Sequence, residues 1–555
     1  MIVRLNRREF LKKTGILTAA AALHTVAQDQ VRVRPAFNGA SLKPFVDALP
    51  LPPVAHRTGT RPDPDPDSHR EVPFYRVSMR EFDMQLHRDL PPTRMWGYNS
   101  SFPGPTIEAR TGSPLIVEWS NDLPRRHFLP IDYHLHGAER DQPEVRAVVH
   151  VHGAKVRAHN DGYPEDWYES GKSAVYHYPN QQDAAVLWYH DHAMGINRLN
   201  IFAGLAGAYI IRDDFEDSLH LPRGEYEIPL VICDRMLDTK GQLYYPDSLK
   251  PGAPWIADFS GDILLVNGKV RPYLDVEPRK YRFRFLNVAN SRFFNLALSN
   301  KEPLIQIGSD QGLLAAPVQL PKLLIAPAER ADLVIDFAKY RGQEIFLFDS
   351  NQPLMQFRVK SGAPDSTPLP GALRPVPRTE ESLARKNRML SLDEWSDRFG
   401  DSMIMLLNGS RWHDPITEKP LLNSVEIWNL INTTDDPHPI HLHLVRFQVL
   451  DRRRFDKFQY QLKNTLRFMG DPMPPAPNEA GWKDTVRAES GAVTRIIVRF
   501  EGYAGRYVWH CHNLEHEDNE MMRPYEVVAT AAESDRVAAA APAAIPICYK
   551  GNLLR

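Results

Sequence analysis

The 555-residue chain carries 21 histidines, and five pairs of them are spaced i, i+2: His134/His136, His150/His152, His190/His192, His441/His443 and His510/His512. Random placement would give about 0.8 such pairs, so the spacing is not incidental. On a β-strand, residues i and i+2 share a face, and each pair can present two imidazoles from one rigid element. The surrounding sequence supports strands. Short runs rich in Val, Ile, Phe and Tyr, at 113–119, 206–211, 281–286 and 494–500, alternate with Gly, Pro, Asn and Asp. The 47 prolines exceed the usual share of about 5% and favour bounded strands over long helices. An all-β chain is expected.

Charge narrows the partners. With 67 basic and 69 acidic side chains, neither disorder nor nonspecific nucleic-acid binding is a good reading. Three cysteines, Cys233, Cys511 and Cys548, cannot build a disulfide framework, although Cys233 and Cys548 could pair. The N-terminus reads as a twin-arginine signal peptide over 1–27: Arg7-Arg8-Glu9-Phe10-Leu11-Lys12 precedes an apolar stretch from Thr14 to Leu23 and a cleavage site at Thr25-Val26-Ala27. Export in the folded state to a periplasmic or extracellular location follows, with no membrane span in the mature chain.

Composition shifts divide the remainder into 28–215, 216–361, a linker at 362–385, 386–530 and an Ala/Pro-rich tail at 531–555. Histidine is absent between His220 and His413. The middle unit is therefore expected to be metal-free. Four of the His-x-His pairs would supply eight nitrogen ligands.

Cys511 lies between His510 and His512, so its thiol points to the opposite face of the same strand. A thiolate, two imidazoles and a weak thioether make a blue-copper electron-transfer site, and Cys511, His516 and a methionine at 521 or 522 occur in one run. His438 can provide the second imidazole, since its parity opposes that of His441 and His443; Pro439 makes that parity approximate. A structural thiol or a zinc site would leave the other histidine pairs without a purpose.

These motifs, together with Asp161-Gly-Tyr-Pro-Glu-Asp-Trp, Tyr176-His-Tyr-Pro-Asn-Gln-Gln, Trp188-Tyr-His-Asp-His-Ala-Met, His438-Pro-Ile-His-Leu-His-Leu and Gly505-Arg-Tyr-Val-Trp-His-Cys-His, resemble a three-domain multicopper oxidase of the bacterial spore-coat-laccase and bilirubin-oxidase branch. The resemblance runs from about Leu115 to Val528. It implies three cupredoxin-like Greek-key β-barrels and four copper ions. It assigns His438, Cys511, His516 and axial Met521 to the type 1 copper, His150 and His441 to the type 2 copper, and His152, His190, His192, His443, His510 and His512 to the type 3 pair. Met521 is preferred over Met522 on family spacing alone. So is His150/His152 over His134/His136, because the former reaches Asp161-Gly-Tyr-Pro at the family's distance.

The implied activity is one-electron oxidation of phenolic or other aromatic donors, bilirubin among them, coupled to reduction of dioxygen to water by a monomer. His516 is the expected point where electrons enter, and Asp161 and Glu517 match the family's proton-relaying acids. A phenoxazinone-synthase-like aminophenol oxidase would share this chemistry. A cuprous or ferrous oxidase would show a Met-rich insert or an acidic donor patch, and neither is evident. An exported cupredoxin scaffold would have lost ligands, and this chain has kept them all. The 452–481 region, with its aromatic, Met and Pro residues, is a candidate donor-facing loop or a plain surface excursion.

Overall fold

The computed structural model of the protein describes residues 36–248, 254–365, 367–396 and 402–538. The twin-arginine segment and Cys548 lie outside the described residues. Strands dominate the described residues, and they fall at 59–212, 227–359 and 384–527 in three pairs of sheets, with a further two-stranded sheet of Arg146–Ala147 and Tyr168–Glu169 in the first; these are the cupredoxin-like barrels that the resemblance implies. The runs read as strands appear at Leu115–Asn121, Ala206–Arg212, Lys280–Asn287 and Ala492–Arg499.

In the first barrel, Ala185–Asp191 lies antiparallel between Ala206–Arg212 and Val149–His152. The register sets His190 opposite His150 and Trp188 opposite His152. In the third, Gly505–Cys511 lies between His438–Leu442 and Met522–Val527, with His441 opposite His510 and Ile440 opposite Cys511. Both arrangements bring two histidine-bearing strands together as neighbours. Large aromatic side chains fill the interiors behind them: Trp96, Trp119, Trp188, Trp428 and Trp509 are essentially fully buried. Trp428 and Trp509 meet edge to face at 5.3 Å, a favourable arrangement of ring quadrupoles.

The middle barrel carries a buried ion network in place of histidines. Arg282 and Arg284 converge on Glu216, Glu227 and Asp332 with contacts of 2.5–2.9 Å. Burial pushes Glu216 up, but the Arg284 and Arg282 guanidiniums outweigh it and hold the carboxyl down at about 2. A depressed folded-state pKa contributes stability that is complete above the ordinary value of 4.5 and is lost as pH falls from there through the folded value. Chemical denaturation between about pH 5 and pH 2 is expected to show a loss of about 3 kcal/mol that Glu216→Gln removes.

Two expectations change at the C-terminal side. The linker at 362–385 already contains the start of strand Ala384–Ser396. The tail expected from residue 531 begins instead as helix Ala531–Ala538. Thr530 and Glu533 cap it reciprocally, Thr530 N donating to Glu533 Oε2 and Glu533 N to Thr530 Oγ1, and Ser534 is tied to Lys386 and Lys419. An alanine-rich segment opening on a Thr-x-x-Glu box is a good helix once its end is anchored.

Candidate metal centre

His150, His152, His190, His192, His441, His443, His510 and His512 form one cluster, each at most about 1% exposed. Donor atoms of His150, His152 and His441 lie within 4.8 Å of one another, as do those of His152, His190 and His512, and those of His192, His443 and His510. The rings of His150 and His443 stack at 3.7 Å, and those of His152 and His441 at 3.6 Å. The first and third barrels each contribute four imidazoles.

One nitrogen of most rings is anchored. His150 Nδ1 donates to the Asp161 carbonyl at 2.6 Å, His190 Nδ1 to the Asp191 carbonyl at 2.7 Å and His441 Nδ1 to the Asp484 carbonyl at 2.8 Å. His443 Nδ1 donates to Asp161 Oδ2 at 2.7 Å, and His152 Nε2 to Asp484 Oδ1 at 3.1 Å. Such contacts fix ring orientation and tautomer, leaving the other nitrogen as an unprotonated donor. Those free nitrogens are buried and lack a partner at His150 Nε2, His152 Nδ1, His190 Nε2 and His441 Nε2.

Burial and the crowd of neighbouring imidazoles hold His152, His190, His441, His443 and His512 well below the ordinary histidine range, and His192 and His510 at about 3. These seven imidazoles are therefore neutral at physiological pH. His510 Nε2 nonetheless sits 3.2 Å from His443 Nε2 and 3.3 Å from His192 Nε2. Lone pairs converging without protons between them are unfavourable unless a cation lies among them, and each orphaned buried polar atom otherwise costs about 1–3 kcal/mol. The donor set fits copper.

A second cluster lies across the strand from the first. Cys511 Sγ is 3.5 Å from His438 Nδ1 and 3.8 Å from His516 Nδ1, and the two imidazole nitrogens are 3.1 Å apart. All three residues are fully buried. His438 Nε2 is held by Thr434 Oγ1 at 2.7 Å. Burial raises the Cys511 thiol well above its ordinary range, so the thiolate needs a bound cation to form here. Met521 packs in the same apolar cluster as Cys511, whereas Met522 faces a different one with Tyr163, Met194, Trp412 and Val508. Tertiary packing thus places Met521 on the thiol's side. His516 has no exposed surface of its own; its Nε2 lies 3.6 Å from Asp258 Oδ1, whose side chain is 55% exposed.

The two acids expected near the cluster are both there. Asp161 bridges His150 and His443, and Gly162 behind it has φ +77° with no room for a Cβ against the Val149 carbonyl. Glu517 Oε2 is 3.1 Å from His510 Nδ1, while Oε1 accepts from Asn197 Nδ2 at 2.7 Å. Burial pushes Glu517 up to about 7.

Four supporting residues escape the sequence patterns. Asp484 holds His152 and His441 and is itself gripped by Arg330 and Gln311. Asp191, on the face opposite His190 and His192, accepts from Val148 N, Ala193 N and Asn200 Nδ2. The parity that revealed Cys511 would have revealed Asp191. No spacing signal leads to Asp484 or Arg330.

His134 and His136 stand apart. His134 is 68% exposed and bonded to Asp132, and neither belongs to the buried cluster. Replacing both with alanine is expected to leave copper content and oxygen reduction unchanged, as metal analysis and an oxygen electrode would show; loss of the type 2 copper signal would reverse the choice between the pairs.

Comparison with known proteins agrees with this geometry. Family models described as multicopper oxidase match residues 83–146, 144–216 and 378–531. A laccase of Bacillus subtilis (strain 168) is 47% identical over 516 residues, covering 88% of this chain and 99% of that protein. A laccase of Haloferax volcanii is 37% identical, covering 94% and 91%. The crystal structure of a laccase from Pediococcus acidilactici superimposes with a TM-score of 0.71 at 28% identity, over 88% of this chain and 95% of that one.

Proposed function

Because this chain belongs to the multicopper oxidase family and is a laccase-like, copper-dependent oxidoreductase that uses oxygen, we propose that it oxidises phenolic and other aromatic donors one electron at a time and reduces dioxygen to water. His438, Cys511 and His516, with Met521 beside them, would hold a type 1 copper. His150 and His441 would hold the type 2 copper, and His152, His190, His192, His443, His510 and His512 the type 3 pair. Copper in these places would supply one-electron redox chemistry, one equivalent at the thiolate site and up to three at the histidine cluster, together the four that dioxygen requires.

The observation that carries the proposal is the single strand ending at Cys511: its thiol joins His438 and His516 on one face, while His510 and His512 enter the eight-histidine cluster on the other. The peptide between them is a covalent path a few bonds long. Asp258 brings the edge of His516 near solvent, which suits electron uptake from a donor that stays outside. The 452–481 region folds as helix Lys457–Lys463 and strand Phe468–Met473, and Lys457 Nζ and Gln461 Nε2 bond the carbonyls of Thr434 and Thr433, beside the hydroxyl that holds His438. Exposed Phe458 and Leu462 on that helix give aromatic donors an apolar landing close by.

Asp161 Oδ1 and Glu517 Oε2, both buried and without a hydrogen-bond partner, would hold protons needed when oxygen is reduced. Asp161→Asn is expected to slow oxygen turnover by about 10–100-fold while changing copper loading less, because the amide keeps an acceptor for His443 Nδ1 but loses the charge. Equal turnover of variant and parent at every pH would remove Asp161 from proton delivery. Export by the twin-arginine route and a monomeric state complete the proposal. Copper stoichiometry and oxygen consumption with phenols, bilirubin, an aminophenol and Cu(I) as rival donors test it: four coppers and a preference for phenols support it, and a preference for Cu(I) would reassign the protein as a metal oxidase.

A further inference from the structure

A separate set of donors lies at the surface where the first and third barrels meet. His136 and Glu165 come from loops of the first, and His413 from the segment between strands Ser402–Leu407 and Val425–Asn432 of the third. One donor atom of each lies within 4.8 Å of the other two. The two imidazoles meet edge to face with centroids 4.5 Å apart. None of the three side chains is buried, so an ion can reach them from solvent.

Each donor is supported from behind. Glu165 Oε1 accepts a hydrogen bond of 2.9 Å from the indole of Trp412, the residue next to His413. That indole is buried against Tyr163, and the Trp412 backbone N–H is held by Glu520 Oε2 at 2.8 Å. Glu165 is thereby fixed beside His413 with its second oxygen free of that bond. His136 sits over an equally rigid backbone. Gly137 follows it with φ +81°, where a Cβ would strike Met194, and its carbonyl is bound by the Arg146 guanidinium. Glu139 Oε1 lies 3.4 Å from His136 Nδ1 and adds a second carboxylate. Two imidazoles, a positioned carboxylate and an acid alongside are the ligand chemistry of a borderline divalent ion, not of calcium or magnesium, which prefer all-oxygen shells.

We propose that His136, Glu165 and His413 form a surface binding site for a transition-metal dication of the zinc class, and that the bound ion clamps the first barrel to the third. It stands apart from the copper assignments, since none of its residues belongs to either buried cluster. An ion bound across two chain segments binds the folded state only, and stabilises it by mass action.

The test uses the copper-loaded full-length enzyme after removal of loosely held metal, titrated with zinc chloride by calorimetry and followed by thermal denaturation. Zinc is chosen because it is colourless and redox-silent. The expected result is saturable uptake of a single zinc per chain and a melting temperature raised by a few degrees, with the blue colour and oxygen turnover unchanged. Glu165→Gln keeps an acceptor for the Trp412 indole and removes only the charge, so it leaves the fold undisturbed. It and His413→Gln should each weaken zinc binding by about tenfold or more and abolish the thermal shift, whereas His134→Ala should do neither. Absence of saturable binding in the parent, undiminished binding in a His136→Ala/His413→Ala variant, or loss of the blue colour as zinc is added would each overturn the site.

Discussion

Cys511→Ser is expected to yield a folded but colourless protein that consumes no measurable dioxygen with a phenol, a loss of about a thousandfold or more. Serine fits the fully buried position, and the hydroxyl is slightly smaller than the thiol, so strand Gly505–Cys511 and its pairing with His438–Leu442 should persist. What disappears is the soft, polarisable donor. A buried hydroxyl does not ionise beside two neutral imidazoles, and His438 and His516 alone make a poor site for cuprous copper. His510 and His512 face away from the exchanged atom, so the histidine cluster should keep its metal: copper analysis should fall by a single ion per chain. Retained blue absorption in the variant would mean that another residue supplies the sulfur, and full oxygen consumption would mean that electrons reach the cluster without passing this strand.

Arg330→Met is expected to destabilise the protein by about 3–5 kcal/mol, because it leaves buried carboxylates without their cation. Arg330 is wholly buried; its Nη1 donates to Asp484 Oδ1 at 2.7 Å, its Nη2 also reaches Asp484, and it caps the carbonyls of Val186, Ala328 and Asp310. Lys483 remains for Asp310 at 2.9 Å, but Asp484 loses its main partner. Despite burial, which raises it, Arg330 holds Asp484 below the ordinary carboxylate range. Asp484 in turn orients His152 and His441, so copper should also be held less tightly, by about 10–100-fold, as release to a chelator would show. Arg330→Lys should recover part of the stability but not the forked bond to Asp484. Unchanged denaturation together with unchanged copper retention would show that Lys483 and Gln311 suffice.

The histidine pairs were legible because strand parity is local: a two-residue repeat declares which side chains share a face, whatever the rest of the chain does. Cys511 between His510 and His512 was legible for the same reason. Capping is equally local, and the Thr530–Glu533 box at helix Ala531–Ala538 was readable but was masked by its alanine- and proline-rich surroundings. Asp484 and Arg330 were not readable. They act on His152 and on each other across 332 and 154 residues of sequence, and an acid or a base at those positions looks like any other until the sheets are stacked.

By itself, then, the order of residues determined the strand-rich class, the histidine-free middle, and the two-faced strand on which thiol and imidazoles are back to back. Only the folded arrangement decided that imidazoles from the first and third barrels share one buried volume, that Met521 rather than Met522 lies on the thiol's side, and that His136 meets His413 at the surface. Parity and composition act over a few residues, whereas convergence of lone pairs depends on the register and stacking of sheets hundreds of residues apart.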